Sequence, residues 1–258
     1  MFMSMQKSIP LSEKIRALPR TLFAYFMGLP IILFLFIPAL IFAAIPARYR
    51  PEKLFFRILH LIYASIVTCV LLPVTTTGRE NMPQTPAIFV SNHESSLDIP
   101  LLGRLMRGYP HMWYVFAIFA RKPFFGFLVR RIGMPVDQAN AGADARALVS
   151  GIRRVNHMNM HTLIFPEGSR FNDGVIHKFY SGFALIAKKT GRPVIPVLMR
   201  NAGKAYPPHG FFIYYAPLSL TIGPAFYCRA DESLKEFTER VHAWFDEENE
   251  RMHERFST

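Results

Sequence analysis

The chain has 258 residues, of which 51% are hydrophobic and only 19% charged, and this composition excludes an intrinsically disordered protein. Its mean hydropathy of +0.18 disfavours an ordinary soluble enzyme and indicates contact with lipid. A net charge of +12 favours anionic partners, namely phosphates, nucleic acid or an acidic membrane face. The length suffices for one sizeable domain with an appendage.

The two cysteines, Cys69 and Cys228, are far apart and lie in apolar sequence. They therefore predict neither a disulfide framework nor a metal site. We expect a reducing compartment and no bound metal.

Two uncharged runs near the N-terminus predict a membrane-associated segment. The first, residues 21–47, exceeds the roughly 20 residues that a helix needs to cross the hydrocarbon core. It is also longer than the apolar core of a signal peptide, so we expect no cleavage. The second run, residues 58–78, is long enough to span by itself. The alternative is a pair of buried helices in a soluble core.

Basic residues and prolines constrain how this segment sits in a membrane. A plain two-span hairpin would place basic residues on both sides, against the positive-inside rule. Pro30 and Pro38 interrupt the first run and can kink it. Residues 1–77 are therefore predicted to form a bent or re-entrant helical hairpin in one leaflet, with the following domain on the cytoplasmic face. The basic residues before the first run and between the runs are Lys7, Lys14, Arg16, Arg20, Arg48, Arg50, Lys53 and Arg57.

Residues 78–258 have the pattern of an α/β domain. Helices are expected to open near His93, to cover residues 144–158, and to follow a cap at Asp231. Strands separated by helix-length segments predict a mostly parallel sheet flanked by helices. The strand-like runs are residues 87–91, 162–165, 194–199, 212–216 and 219–222, and the apolar stripe of the last helix is Leu234, Phe237, Val241, Trp244 and Phe245.

The first cluster with chemical potential, SNHESSLD at residues 91–98, directly follows a predicted strand. If the turn brings Asp98 beneath the ring of His93, its carboxylate fixes the tautomer and leaves the other nitrogen free to take a hydroxyl proton. With no recognisable nucleophile elbow, direct transfer is favoured over a covalent enzyme intermediate. The spacing alone leaves a purely structural role open, with His93 starting a helix and Asp98 on the surface.

The second cluster, FPEGSR at residues 165–170, also follows a predicted strand, where ligands bind in open α/β sheets. Gly168 is expected to offer exposed backbone donors. The guanidinium of Arg170 can bind a phosphate through two hydrogen bonds. An ordinary Pro-Glu-Gly turn is the alternative.

In this order, the two clusters resemble the NHxxxxD and FPEGTR motifs of glycerolipid acyltransferases of the lysophosphatidic acid acyltransferase (1-acylglycerol-3-phosphate O-acyltransferase) family. Further segments extend the resemblance over about residues 78–200. They are 78–83 (GRENMP) before the first motif, 122–126 (KPFFG) and 131–137 (RIGMPVD) in the second block, and 192–197 (RPVIPV) in the fourth.

The resemblance implies an enzyme that moves a fatty acyl group from acyl-CoA or acyl carrier protein to a lysophospholipid hydroxyl. The most direct acceptor is 1-acyl-sn-glycerol-3-phosphate, which would give phosphatidic acid. His93 would be the general base and Asp98 its orienting partner, and no cofactor or metal is implied beyond the thioester co-substrate. The acceptor's glycerol phosphate would lie at the second motif, formed by Glu167, Gly168, Ser169 and Arg170, with Arg170 as its main ligand.

Two positions depart from the family pattern. Ser169 replaces the usual Thr and keeps its hydroxyl. Gln138 stands where the family commonly has Arg after Asp137, so one positive charge is missing where the headgroup should lie. This change makes another acceptor more plausible, such as a lyso-phosphodiester or a lysoaminolipid.

Two other classes of function compete with the enzyme. A non-catalytic lipid-binding or membrane-shaping protein on the same fold would not need a base with an orienting acid. Nucleic-acid binding is suggested only by the +12 charge, and the sequence contains no recognisable motif for it. We therefore expect membrane lipids and a lysophospholipid as partners, and no nucleic acid.

Overall fold

The computed structural model describes residues 9–46, 48–122, 125–136, 149–154, 156–157 and 159–257. Within them a seven-stranded sheet has the order β1-β7-β6-β2-β5-β3-β4. The strands are β1 (Val74–Thr77), β2 (Ile88–Ser91), β3 (His111–Phe116), β4 (Gly133–Val136), β5 (His161–Ile164), β6 (Val194–Arg200) and β7 (Leu218–Ile222).

The sheet is flanked by helices, and residues 149–154 are also helical. The helices are α1 (Leu11–Ala44), α2 (Glu52–Cys69), α3 (Asp98–Leu105), α4 (Ala117–Ala120), α5 (Phe125–Ile132), α6 (Gly182–Thr190), α7 (Ala202–Ala205) and α8 (Leu234–Ser257).

The central strands explain why the sheet is mostly parallel. β2 lies between β6 and β5 and pairs in parallel with both, and every residue of β2 and β5 is buried. Strands that are covered on both faces read as continuous apolar runs, as in a parallel sheet packed between helices. Of the pairings in this sheet, only β6 with β7 is antiparallel. The predicted α/β fold is confirmed.

Helix α8 covers one face of the sheet through its predicted apolar stripe. Phe237, Val241 and Phe245 are completely buried against residues of β2, β6 and α6. The cap predicted at Asp231 is wrong, because Ser233 begins this helix. The Ser233 N–H donates to the Glu236 carboxylate, and the Glu236 N–H donates to Ser233 Oγ, a reciprocal capping box.

The N-terminal helices form an antiparallel pair. Gly28 of α1 lies against Cys69 at the end of α2, and Ala39 and Ala43 of α1 are fully buried. Helix α1 continues past both Pro30 and Pro38. Among the described residues it is the one helix long and apolar enough to cross a membrane, which indicates membrane association.

The second uncharged run does not form a spanning helix. It is divided between α2, which ends at Cys69, and β1, which pairs with β7 in the sheet. Strand β1 thus belongs to the sheet although it lies on the N-terminal side of the predicted boundary between residues 77 and 78. The division into two domains itself stays a prediction.

Two further local expectations need correction. Residues 212–216 form no strand, because this segment bonds to α1 instead, where the Ile213 N–H donates to Thr21 Oγ1 at 2.9 Å. The helix expected near His93 begins only at Asp98, after a turn. Strands β1, β3 and β4 were not predicted. Residues 144–148, 155 and 158 of the expected middle helix lie outside the described residues.

Gly78 directly follows β1, at a position that only glycine suits. Its φ is +70°, and an added Cβ would overlap the carbonyl oxygen of Ile222, which already accepts a hydrogen bond from Asn81 Nδ2. We expect Gly78→Ala to lower the free energy of unfolding by more than about 2 kcal/mol, because left-handed strain and overlap add. Thermal unfolding in detergent measures this loss.

Gly191 provides the matched control for that substitution. It has φ +67° with nothing within 4 Å of an added Cβ, so Gly191→Ala should cost only the conformational strain, about 1 kcal/mol. Equal losses for the two variants would contradict the role of the Ile222 contact.

Candidate active site

The two predicted motifs meet at one edge of the sheet. His93 follows β2 and Glu167 follows β5, and these neighbouring strands are parallel, with Val90 beside Ile164. The carboxyl ends of parallel strands lie at the same edge, where ligands bind in such folds. The His93 N–H donates to Glu167 Oε1 at 3.0 Å, and the Phe171 N–H donates to the His93 carbonyl at 2.8 Å.

His93 and Asp98 form a buried pair. Nδ1 of His93 lies 2.8 Å from Asp98 Oδ2, and Asp98 is fully buried. The same carboxylate oxygen accepts the backbone N–H groups of Glu94 at 2.6 Å and Ser95 at 2.7 Å. These bonds hold the carboxylate in place beneath the ring. The surface role considered for Asp98 is therefore wrong.

Arg170 approaches the other nitrogen of the same ring. Its Nε donates to His93 Nε2 at 3.3 Å, so the ring proton belongs on Nδ1, facing Asp98. The Phe165 ring stacks on the imidazole with centroids 4.0 Å apart, and Trp113 stacks on Phe165 in turn. The imidazole is thus fixed in orientation and tautomer, with a lone pair on Nε2.

Glu167 lies inside the protein between the two motifs. It is only 5% exposed, and its carboxylate accepts the backbone N–H groups of His93 and His177. Burial raises the pKa of Glu167 to about 8. This geometry makes Glu167 a brace between the loops after β2 and β5, while its contact with an acceptor phosphate stays a prediction.

The second motif forms a turn after β5, and Ser169 is the exposed residue of this turn. Gly168 has φ +68°, and its N–H donates to the Phe165 carbonyl at 3.2 Å. The expected free backbone donor at Gly168 is therefore wrong, because the turn itself uses that group. Substrate contacts of Gly168 and Ser169 stay predictions, and Gln138 lies outside the described residues.

Polar residues around His93 that the sequence did not identify fasten its loop to β6 and α7. The Asn92 amide bonds both the N–H and the carbonyl of Met199, each at 2.8 Å. Glu94 Oε2 accepts the Gly203 N–H at 3.0 Å. Asn92 and Glu94 lie inside the first motif, but their partners are more than 100 positions away, so no local signal identifies them.

The described residues contain no group of three or more His, Cys, Asp or Glu side chains arranged to hold a metal ion. The chemistry available at this edge of the sheet is that of a hydrogen-bonded histidine, its buried acid and a guanidinium.

Comparison with known proteins identifies the family. A family model described as Acyltransferase matches residues 73–200, which contain both motifs. The chain belongs to this acyltransferase family. A 1-acyl-sn-glycerol-3-phosphate acyltransferase of Pseudomonas aeruginosa is 27% identical over 173 residues, covering 66% of each chain. A chloroplastic protein of that name from Brassica napus is 32% identical over 168 residues, covering 62% of this chain and 46% of its own length.

The matched segments thus span less than two thirds of the lengths of these relatives. A solved structure, PlsC from Thermotoga maritima, described as a 1-acyl-sn-glycerophosphate (LPA) acyltransferase, covers more of this acyltransferase. It aligns with a TM-score of 0.74 and 24% identity, over 92% of this chain and 97% of its own. The two proteins share their fold.

The stability of this acyltransferase should fall as the pH rises, partly because of Glu94. Burial, followed by the nearby charge of Asp98, raises the Glu94 pKa from 4.5 to about 7. Between these values the folded state binds more protons than the unfolded state, so stability decreases with rising pH. Glu94→Gln removes this titration. Its melting temperature relative to wild type should therefore rise by a few degrees between pH 5 and pH 8.

Glu247, exposed on α8, is the matched control. The difference in melting temperature between Glu247→Gln and wild type should not change over the same pH range. A constant difference between Glu94→Gln and wild type would contradict the assignment.

Proposed function

We propose that this acyltransferase moves a fatty acyl group from a thioester donor to the hydroxyl of a lysophospholipid, most directly 1-acyl-sn-glycerol-3-phosphate, giving phosphatidic acid. The observation that carries the proposal is His93 itself, with Asp98 2.8 Å from Nδ1 and Arg170 3.3 Å from Nε2. A general base and a cation for an anionic acceptor thus lie at one point. The names of the relatives support this acceptor.

The chemistry follows from this arrangement. As the acceptor binds, its phosphate draws the Arg170 guanidinium away from His93, and the hydroxyl takes its place at Nε2. Nε2 removes the hydroxyl proton while the oxygen attacks the thioester carbonyl carbon, and Asp98 stabilises the imidazolium that forms. The tetrahedral oxyanion collapses, the C–S bond breaks, and the thiolate leaves. The imidazolium proton passes to the thiolate or to water.

Gln138 supports a second acceptor class, because one family arginine is missing from the second block. A lyso-phosphodiester or a lysoaminolipid needs fewer positive charges than a phosphate monoester does. Acyl-CoA and acyl carrier protein are both suitable donors for the same step, since each presents a thioester.

The test uses purified protein in detergent with palmitoyl-CoA, a free-thiol readout and a panel of lysolipids. Thiol release that requires 1-acyl-sn-glycerol-3-phosphate is the expected result. Release with another lysolipid alone would keep the mechanism and assign the change in acceptor to the second class. Absence of release with every lysolipid, with both palmitoyl-CoA and palmitoyl carrier protein, would overturn the proposed activity.

We also propose that α1 lies in one leaflet, with the catalytic domain on the cytoplasmic face. At 1.5 Å per residue, the 34 residues of α1 extend about 50 Å, well beyond the roughly 30 Å core. The catalytic domain packs against α1 at Thr21, through Ile213, and also through α5. A helix that crossed the bilayer would draw these contacts, and the domain that makes them, into the hydrocarbon core. The exposed apolar side chains of α1 include Leu11, Ile15, Leu22, Phe26, Leu33, Phe34, Ile37 and Ile41.

Cysteine accessibility distinguishes this placement from a crossing. Ser12→Cys and Tyr49→Cys mark the two ends of α1, each in a chain carrying Cys228→Ser, since Cys69 is buried. In membrane vesicles of known orientation, an impermeant maleimide should label both positions from the cytoplasmic side. Labelling of the two positions from opposite sides would show that α1 crosses the membrane.

A further inference from the structure

We propose that residues 206–216, here called the aromatic loop, form a second membrane-contact element that enters the lipid interface beside α1 at the entrance to the catalytic site. This inference deepens the proposed function, since it concerns how that site meets its lipid substrate. The loop was expected to contain a strand and is instead irregular. Its sequence is YPPHGFFIYYA.

The loop exposes aromatic rings that a water-facing connection has no reason to expose. Phe211 is 56% exposed and Tyr215 is 64% exposed, and Phe212 and Tyr214 are half-buried. Between these rings Ile213 turns inward, at 4% exposure. Tyrosine and other amphipathic aromatic rings concentrate at membrane–water interfaces, where the ring meets acyl chains and the polar end meets headgroups.

Hydrogen bonds fasten the loop to the first half of α1. The Ile213 N–H donates to Thr21 Oγ1 at 2.9 Å, and the Tyr25 hydroxyl donates to the Phe211 carbonyl at 3.0 Å. The Phe211 ring packs on the Tyr25 ring with centroids 5.2 Å apart. The loop is therefore held against α1 at the Thr21–Tyr25 turn.

At this turn the exposed rings continue the exposed apolar surface of α1. Leu22, Phe23 and Phe26 are exposed on the same part of the helix. The Arg20 guanidinium lies 5.1 Å from the centre of the Tyr215 ring, which places a cation at the margin of the apolar surface. Apolar rings bordered by a cation match acyl chains beneath anionic headgroups. The occupant of this surface is the bilayer that already receives α1.

The base of the loop is tied to the catalytic residues. Ser95 Oγ donates to the Tyr206 carbonyl at 2.6 Å, and the Ser95 N–H donates to Asp98 Oδ2. Two consecutive hydrogen bonds therefore connect the membrane-contacting loop to Asp98, the acid that orients His93. This connection places the lipid surface beside the site where a lysolipid must enter.

Tryptophan fluorescence with brominated lipid tests the contact directly. Phe211→Trp is compared with wild type on phosphatidylcholine–phosphatidylglycerol vesicles, with and without brominated acyl chains. The matched control is Tyr227→Trp. Tyr227 is 60% exposed, but it follows Phe226, which pairs with Val194 at the start of β6, at the sheet edge opposite to the one that carries His93. The added emission of Phe211→Trp should shift to shorter wavelength and be lost on brominated vesicles. The added emission of Tyr227→Trp should do neither.

Equal, weak quenching of the two variants would overturn the proposal, as would a loop that is shielded because two copies of the chain associate through it. The measurement needs no turnover, so its result is independent of the proposed activity. If that activity holds, Phe211→Ser combined with Tyr215→Ser should raise the apparent KM for a lysolipid in vesicles several-fold. The KM for the same lysolipid in detergent micelles should not change, and an equal rise in both would count against the proposal.

Discussion

Replacing His93 with alanine is expected to lower acyl transfer by about 10³-fold or more, because in the proposed mechanism Nε2 of this residue removes the acceptor proton. The Nε2 lone pair is available only because Nδ1 keeps its proton against Asp98, at 2.8 Å. Asp98→Asn should also cause a large loss, since a neutral amide lacks the negative charge that stabilises the imidazolium. The measurement is thiol release with the acceptor identified from the lysolipid panel.

The control for these variants must show that the fold is intact. His177→Ala is the matched histidine variant. The His177 side chain stacks on Phe171 and bonds to Asp173, and these contacts do not involve Nε2 of His93. His177→Ala should keep most of the activity and give the same circular dichroism spectrum as His93→Ala. Transfer by a folded His93→Ala variant at the wild-type rate would exclude the general-base mechanism.

Arg170→Met is expected to change two rates in opposite directions: transfer to the acceptor should fall, and thioester hydrolysis without acceptor should rise. Without acceptor, the guanidinium covers His93 Nε2 at 3.3 Å, the nitrogen that takes the hydroxyl proton in the proposed mechanism. Removing it should lower kcat/KM for a phosphate-bearing acceptor by about 10- to 100-fold, which corresponds to the loss of one or two charge-assisted hydrogen bonds. At the same time, slow thioester hydrolysis without acceptor should increase, since water gains access to Nε2.

Arg229→Met is the matched control, because it removes the same charge from an exposed position before α8. It should leave both rates unchanged. An Arg170→Met variant that loses acceptor-free hydrolysis together with transfer would contradict the covering role of the guanidinium. Unchanged kcat/KM would exclude Arg170 as the phosphate ligand.

The buried strands were predictable because each is a short apolar run that can satisfy its polar backbone only inside a sheet. β2, β5, β6 and β7 were located within two residues at every end. Strand β1 (VTTT) was not, because it alternates half-buried and exposed residues in a polar sequence and is a strand only through its pairing with β7. Residues 212–216 were predicted as a strand and are not one. Their apolar pattern is that of a strand, but they bond to α1.

The sequence by itself identified His93 and Asp98 as candidate reacting groups, because residues 92–98 resemble the first motif of the family and one turn suffices to join two residues that are five apart. It also determined the apolar character of α1, which depends on composition alone. Only the tertiary structure decided that Arg170 lies on Nε2, that Glu167 braces the two loops, and that the aromatic loop lies on α1. Each of these contacts joins residues more than 70 positions apart. Such contacts depend on strand order and helix packing, which no local pattern encodes.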